Sequence, residues 1–164
     1  MTPIKIYFAA PLFTQAERIW NQTLANTIVE QDPKIEIFLP QTESSKAYIN
    51  GCFDFAKVQQ ICLNGIDSSD VLVAILDGPD SDSGTCFECG YAFSKGKQLI
   101  GIRTDLRAGE DQGLNAMLNQ SCTEVIRYNA FDDKENHIEE LGCLIVASIK
   151  RAEVSRFSLC NHPQ

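Results

Sequence analysis

Val71-Leu-Val-Ala-Ile-Leu76, followed by Asp77-Gly-Pro-Asp80-Ser-Asp82-Ser-Gly84-Thr85-Cys-Phe-Glu88-Cys-Gly90-Tyr91-Ala92, reads as a strand, a loop and the start of a helix in succession. The first six residues are apolar and rich in β-branching, the length of a strand buried on both faces. Gly90 onward reads as helix, so the acidic Gly/Ser loop lies at the strand's carboxyl end, where open α/β sheets bind ligands. On this reading Glu88 falls in the first helical turn, facing the crevice. A helix N-terminus attracts anions, but Asp77, Asp80, Asp82 and Glu88, with no Lys or Arg among them, repel a phosphate. A neutral polyol fits better, because its hydroxyls donate to carboxylates. The loop is expected to hold a sugar.

Outward from this segment the chain alternates strand and helix. Strands are expected over Ile4 to Ala10, Ile35 to Pro40, Val71 to Leu76, Gln98 to Arg103 and Glu124 to Tyr128. Helices are expected over Thr14 to Gln31, Phe53 to Ile66, Thr85 to Lys95, Gln112 to Asn119 and Asp133 to Val154. Thr14 and Glu17 form a capping box at the first helix, and Gly96 stops the helix that carries Glu88. Such alternation predicts a flavodoxin-like, doubly wound α/β fold, with about five parallel strands and helices on both faces. Gln41 to Cys52 and Thr104 to Asp111 read as irregular, and both follow strands on the ligand side.

The 164 residues fit one domain, 1–164, large enough for a proper core. With 14 basic and 22 acidic residues the net charge is −8, and the basic residues are scattered. Polymeric nucleic acid is excluded as an expected partner. The longest apolar runs are strand-sized and no leader-like segment precedes the first strand, so a soluble, cytoplasmic chain with no membrane partner is expected. Seven cysteines, an odd number without framework spacing, suit reduced thiols.

Thr85-Cys-Phe-Glu88 is itself a capping box, so on local pattern Glu88 reads equally as a capping residue and as a reacting carboxylate. Its crevice location, the neighbouring Asp82 and a tyrosine at position 7 in the first strand favour the second. A tyrosine hydroxyl beside a carboxylate holds it in one rotamer, which is how a nucleophile is oriented. Cys86 and Cys89 form a C-x-x-C, but the acidic neighbours raise a thiol pKa, which favours inert thiols over a redox pair. A zinc site lacks ligands, since Cys160, His137 and His162 have no usual spacing from that pair. Neither histidine is placed for acid/base work.

Ile6-Tyr7-Phe8-Ala9-Ala10-Pro11-Leu12-Phe13, then Leu63-Asn64-Gly65-Ile66-Asp67-Ser68-Ser69-Asp70, then Asp82-Ser-Gly84-Thr85-Cys-Phe-Glu88-Cys-Gly90-Tyr91-Ala92 with Gly96-Lys97, together resemble the nucleoside 2-deoxyribosyltransferases. The order and spacing match across most of the chain. The resemblance implies that Glu88 attacks the anomeric carbon of a 2′-deoxynucleoside and releases the base, after which a second base collects the sugar. It also implies that Tyr7 orients Glu88, that Asp82 accepts from the 5′-hydroxyl, that Gly84 belongs to the sugar-binding loop, and that Phe13 packs on the base. Asn115 resembles an asparagine that a neighbouring subunit contributes, which implies a homodimer or higher homo-oligomer; on sequence alone it is equally an exposed turn or helix residue. Substrates would be 2′-deoxynucleosides and free nucleobases, in nucleoside salvage, with no cofactor and no metal.

The chain also departs from that pattern. Bacterial relatives carry an aspartate directly before Leu-Asn-Gly-Ile that handles protons on the base, whereas this chain has Cys62; Asp67 or Asp70 could take its place, and Asp70 is equally the strand's entry residue. Relatives end in a tyrosine, and this chain ends Cys160-Asn-His-Pro-Gln164. Gln41, just past the second strand, is a candidate base contact. The competing expectations are a deoxynucleoside 5′-monophosphate N-glycosidase of the same superfamily, a nucleoside-sensing module without turnover, and a thiol redox protein using Cys86 and Cys89.

Overall fold

The computed structural model describes residues 3–49, 51–108, 110–130 and 136–160. Its centre is a five-stranded parallel sheet of β1 (Ile4–Ala9), β2 (Ile35–Phe38), β5 (Val71–Ile75), β6 (Gln98–Arg103) and β7 (Glu124–Arg127), in the order β2-β1-β5-β6-β7. With the small hairpin β3 (Tyr48–Ile49) and β4 (Cys52–Phe53) set aside, this is the flavodoxin-like order expected from the sequence. The order reverses at β1, which lies between β2 and β5. A crevice therefore opens where the carboxyl ends of β1 and β5 diverge.

Alternation along each strand divides the core in two. Ile6, Phe8, Val73, Ile75, Ile100 and Ile102 face α1 (Gln15–Gln31) and α6 (His137–Cys160), which supply Leu24, Ile28, Leu141 and Ile145. Tyr7, Ala9, Leu72, Ala74 and Leu99 face α3 (Phe55–Ser68), α4 (Ser83–Ser94) and α5 (Ala116–Ser121), which supply Ile66, Cys89, Ala92 and Leu118. All five residues of β5 are buried, the signature of a central strand covered on both faces. Among the described residues no helix is long and apolar enough to cross a membrane.

Several boundaries differ from the sequence expectation, each for a local reason. β2 ends at Phe38, because Pro40 lacks a backbone donor for the sheet and instead opens the short helix α2 (Pro40–Glu43). The stretch expected to be irregular thus holds α2, a 3₁₀ turn at Ser44–Ala47 and the β3–β4 hairpin. Asp54 caps α3 by accepting from the Lys57 N–H at 3.1 Å, which starts that helix two residues after Phe53. The expected helix from Gln112 resolves into a 3₁₀ turn, Glu110–Gly113, and α5, which begins only after Asn115 caps it. Asp133, the expected start of the closing helix, lies outside the described residues, as does His162. The capping box of α1 forms as expected, with Thr14 N–H donating to Glu17 at 2.7 Å.

Candidate active site

The loop between β5 and α4 is fixed by its own carboxylates before it offers any to a ligand. Asp77 accepts from the Thr104 N–H at 2.6 Å, the Thr104 hydroxyl at 2.5 Å and the Asp105 N–H at 2.9 Å, tying the loop to the segment after β6. Buried Arg103 donates to the carbonyls of Leu76 at 2.6 Å and Gly78 at 2.8 Å. Gly78 has φ +106°, and a Cβ there would lie 2.9 Å from the Asp80 carbonyl, so the turn requires glycine. Neither Asp77 nor Asp80 lines the cavity that contains Glu88. The expectation of four carboxylates turned to one ligand is therefore corrected to two, Asp82 and Glu88.

Asp82, not Thr85, caps α4. Its Oδ2 accepts from the Thr85 N–H at 2.8 Å and the Thr85 hydroxyl at 3.1 Å. A Cβ on Gly84 would sit 3.1 Å from that oxygen, so Gly84 leaves room for the carboxylate to fold back over the helix start. Because the helix begins at Ser83, Glu88 lies in its second turn. It is free of capping duty and reaches across to β1.

There the Tyr7 hydroxyl donates to Glu88 Oε1 at 2.5 Å. Tyr7 is fully buried, and its ring stacks on Phe38 with centroids 5.2 Å apart and planes 15° from parallel. Burial, and then the charge of Glu88, push the phenol far above its usual range, so Tyr7 stays a proton donor. Burial also raises the Glu88 carboxyl to about 7; the Tyr7 hydrogen bond opposes the shift, the Asp82 charge adds to it, and a Cys62 hydrogen bond opposes it again. Cys62 has its own thiol raised, chiefly by burial. A half-buried carboxylate held by a phenol, with its pKa near neutrality, has the electrostatics of a catalytic group.

Glu88 lies in a cavity of about 560 Å³, within the usual range for small-molecule sites. Ala10, Leu12 and Phe13 line it from the end of β1, and Arg18 from α1. Pro40, Gln41, Ser44 and Ser45 come from the segment after β2, and Phe53, Phe55, Val58 and Cys62 from the hairpin and α3. Asp82, Gly84, Thr85 and Glu88 complete it. The aromatic rings form a wall suited to a flat heterocycle, and the two carboxylates form a polar end.

The structure brings Tyr7, Phe13, Gln41, Asp82, Gly84 and Glu88 together and leaves Asp67 and Asn115 apart. Phe13 stands at the rim, 72% exposed. The Gln41 amide is committed, donating to the Arg18 carbonyl at 3.0 Å and accepting from Asn21 at 3.2 Å. Asp67 accepts from the Tyr91 hydroxyl and pairs with Lys95, on the far side of α3 from the cavity lining. Asp70 accepts from the Lys5 N–H at 2.9 Å and enters the sheet as a structural residue. Asn115 caps α5, is exposed, and accepts from the Met117 N–H at 2.9 Å. Cys86 and Cys89 are free thiols, both raised mainly by burial, which leaves no activated redox pair. His137 belongs to a separate cluster with Tyr128.

Arg18, Ser44, Phe53 and Phe55 escaped sequence reasoning. Arg18 donates to the carbonyls of Leu12 at 2.9 Å and Phe13 at 2.8 Å, so it holds the β1 loop that carries Phe13. Nothing local in the sequence marks it; its partners come from the helix capping geometry upstream.

Residues 6–119 match the family model described as nucleoside 2-deoxyribosyltransferase, and the chain belongs to that family. Among solved structures it is similar to a conserved protein from Enterococcus faecalis, at 27% identity and TM-score 0.71, over 92% of this chain and 99% of that one. A 2-deoxyribosyltransferase from Bacillus psychrosaccharolyticus shares the fold at 23% identity and TM-score 0.62, over 82% and 90%. So does a CMP N-glycosidase from Clostridium botulinum, at 18% identity and TM-score 0.58, over 87% and 98%. A comparison with curated proteins finds no match.

Proposed function

We propose that this protein transfers 2-deoxyribose between the bases of 2′-deoxynucleosides by double displacement at Glu88. The observation that carries the reading is the Tyr7 to Glu88 hydrogen bond at 2.5 Å on the wall of the cavity. A carboxylate oxygen of Glu88 attacks C1′, the C1′–N bond breaks, and its electron pair leaves with the base. The departing base takes up a proton at that nitrogen. The ring nitrogen of a second base then attacks C1′ and gives up its proton, and the ester C1′–O bond breaks to regenerate the carboxylate, so protons balance over the cycle. Two inversions recover the starting configuration. The carboxylate supplies the nucleophile, so the step needs no cofactor or metal. Absence of a 2′-hydroxyl eases the oxocarbenium-like transition state, which favours deoxyribosides.

In this reading Tyr7 fixes the attacking rotamer, and Phe13 packs on the base. Asp82 accepts the 5′-hydroxyl through Oδ1, since Oδ2 is taken by Thr85. Gln41 acts indirectly: its amide is spent on Arg18 and Asn21, which steady the loop that bears Phe13. Asn115, exposed on α5, serves the sugar site of a neighbouring subunit in a homo-oligomer. Free thiols support a cytoplasmic setting.

The second reading is hydrolysis of deoxynucleoside 5′-monophosphates, favoured by Arg18, Ser44 and Ser45 in the cavity lining. Both Arg18 contacts at Nη1 go to backbone carbonyls, which weakens it as a phosphate ligand. Incubation with a panel of deoxynucleosides, free bases and the 5′-monophosphates, followed by chromatography, separates the two. Base exchange on nucleosides is expected. Base release from monophosphates in preference to nucleosides would transfer the conclusion to the glycosidase, and no product from any substrate would overturn both.

A further inference from the structure

Tyr7 directs Glu88, but the protein must also direct Tyr7. Phe38, the last residue of β2, is the register partner of Tyr7 on β1, so the two side chains leave the sheet on the same face. Their rings stack, within the range of favourable aromatic pairs. Behind Phe38 stands Gly65, buried in the interior of α3. A Cβ on Gly65 would come within 2.7 Å of both Cε1 and Cζ of Phe38, closer than packed carbons approach. Glycine is a poor helix former, so its place inside a helix calls for a packing reason. Phe38 supplies that reason. Cys62, one turn before Gly65 on α3, packs with Phe38 against the buried cluster that contains Tyr7, so α3 backs the tyrosine chiefly through Phe38.

We propose that Gly65 and Phe38 are positioning residues for the reacting carboxylate: the bare backbone of α3 at Gly65 seats the Phe38 ring, which stacks on Tyr7 and holds its hydroxyl against Glu88. Neither residue touches the substrate. A Cβ at position 65 displaces the ring toward Tyr7, and a smaller side chain at position 38 leaves Tyr7 without its stack. Each change alone loosens the hydrogen bond to Glu88. Together they compensate, since the added methyl group fills part of the volume a leucine vacates.

The inference rests on Glu88 as the reacting group, and its test has one arm that needs no substrate. The Glu88 carboxyl is titrated by ¹³C NMR, assigned with Glu88→Gln, in wild type, Gly65→Ala, Phe38→Leu and the double variant. The groups facing Glu88, namely Tyr7, Asp82 and Cys62, are the same in all of them. Loss of the Tyr7 donor destabilises the carboxylate, so each single variant moves the midpoint to higher pH, and the double variant returns toward wild type. In the exchange assay kcat falls roughly tenfold to a hundredfold in Gly65→Ala with KM within about twofold, the cost of a small misplacement, and Phe38→Leu restores most of it. A glycine with only a structural role predicts a lower Tm in Gly65→Ala, from the contact with Phe38, with the midpoint and kcat unmoved. Wild-type titration in Gly65→Ala, or a double variant no better than the worse single, would overturn the proposal. If Gly65→Ala alone does not fold, Phe38→Leu against the double variant decides by the same criterion. A protein that exchanges no sugar yet shows this titration pattern would overturn the proposed function and leave the positioning intact.

Discussion

Asp82 gives a single carboxylate oxygen to both donors of Thr85, the N–H at 2.8 Å and the hydroxyl at 3.1 Å, and so starts α4 while its other oxygen accepts from none of the described residues. The proposed mechanism gives this side chain a second function at the sugar, and substitution can separate the two. Asparagine caps a helix about as well as aspartate, so Asp82→Asn should change thermal stability little, while Asp82→Ala should cost about 1 kcal/mol more. In both, deoxynucleoside kcat/KM should fall. Because the Asp82 charge raises the Glu88 pKa, the acidic limb of the pH–rate profile should move to lower pH in either variant. The gap between nucleoside and 5′-monophosphate should also narrow, since unit charges about 4 Å apart repel by about 4 kcal/mol at an effective dielectric of about 20. An unmoved limb and an unchanged gap would remove Asp82 from the site.

The Glu88 pKa of about 7 makes activity and stability respond to pH in opposite senses. Attack needs the carboxylate, so wild-type kcat/KM should rise with pH up to about 7 and then level. For stability the folded pKa lies above the ordinary 4.5, so the folded protein binds the extra proton. The contribution is complete below about 4.5 and is lost as pH rises through about 7. Glu88→Gln, which carries no charge to bury, should therefore match wild type near the lower value and exceed it by about 2 kcal/mol at pH 8. For a chain of this size that is several degrees in Tm, and melts at both pH values check it.

Cys62 lines the cavity with Glu88 and packs against the cluster that contains Tyr7, and burial keeps its thiol protonated. As a donor to Glu88 it should be replaceable by serine with loss of no more than about threefold in kcat, on the scale of one weak hydrogen bond. Cys62→Ala removes the donor and should move the acidic limb upward. Cys62→Asp sets a second negative charge beside Glu88 and should move it further in the same direction. The pH–rate profiles of the three variants rank the effect, and a reversed order would show that the thiol does not touch the reacting carboxylate.

The sheet was legible because its strands are short apolar runs whose burial on two faces leaves little ambiguity; β6 matches its expected bounds and β1 is shorter by one residue. The local capping signal misled at α4, where Thr85 and Glu88 have the spacing of a box but Asp82, three residues earlier, takes the Thr85 N–H first. That competition is invisible until the helix register is known. Tyr7, Asp82 and Glu88 could be marked because each lies in a motif beside a strand end. Arg18 and Phe38 could not, since their roles arise from the loop that Arg18 holds and from cross-strand register. Phe53 and Phe55 were within reach, because Asn50-Gly51 between Tyr48-Ile49 and Cys52-Phe53 is a hairpin signal that sequence reasoning passed over. Asp67 and Tyr91, both within family-like segments, bond each other instead of facing the cavity.

The central claim is that the sugar passes through Glu88 covalently. Acid quenching of the wild-type protein during turnover of a deoxynucleoside, followed by proteolysis and mass spectrometry, reads it directly. One deoxyribosyl group is expected on the peptide that carries Glu88, absent from Glu88→Gln and discharged when a free base is added before the quench. Turnover with no adduct at any quench time, or an adduct on a different peptide, would contradict it.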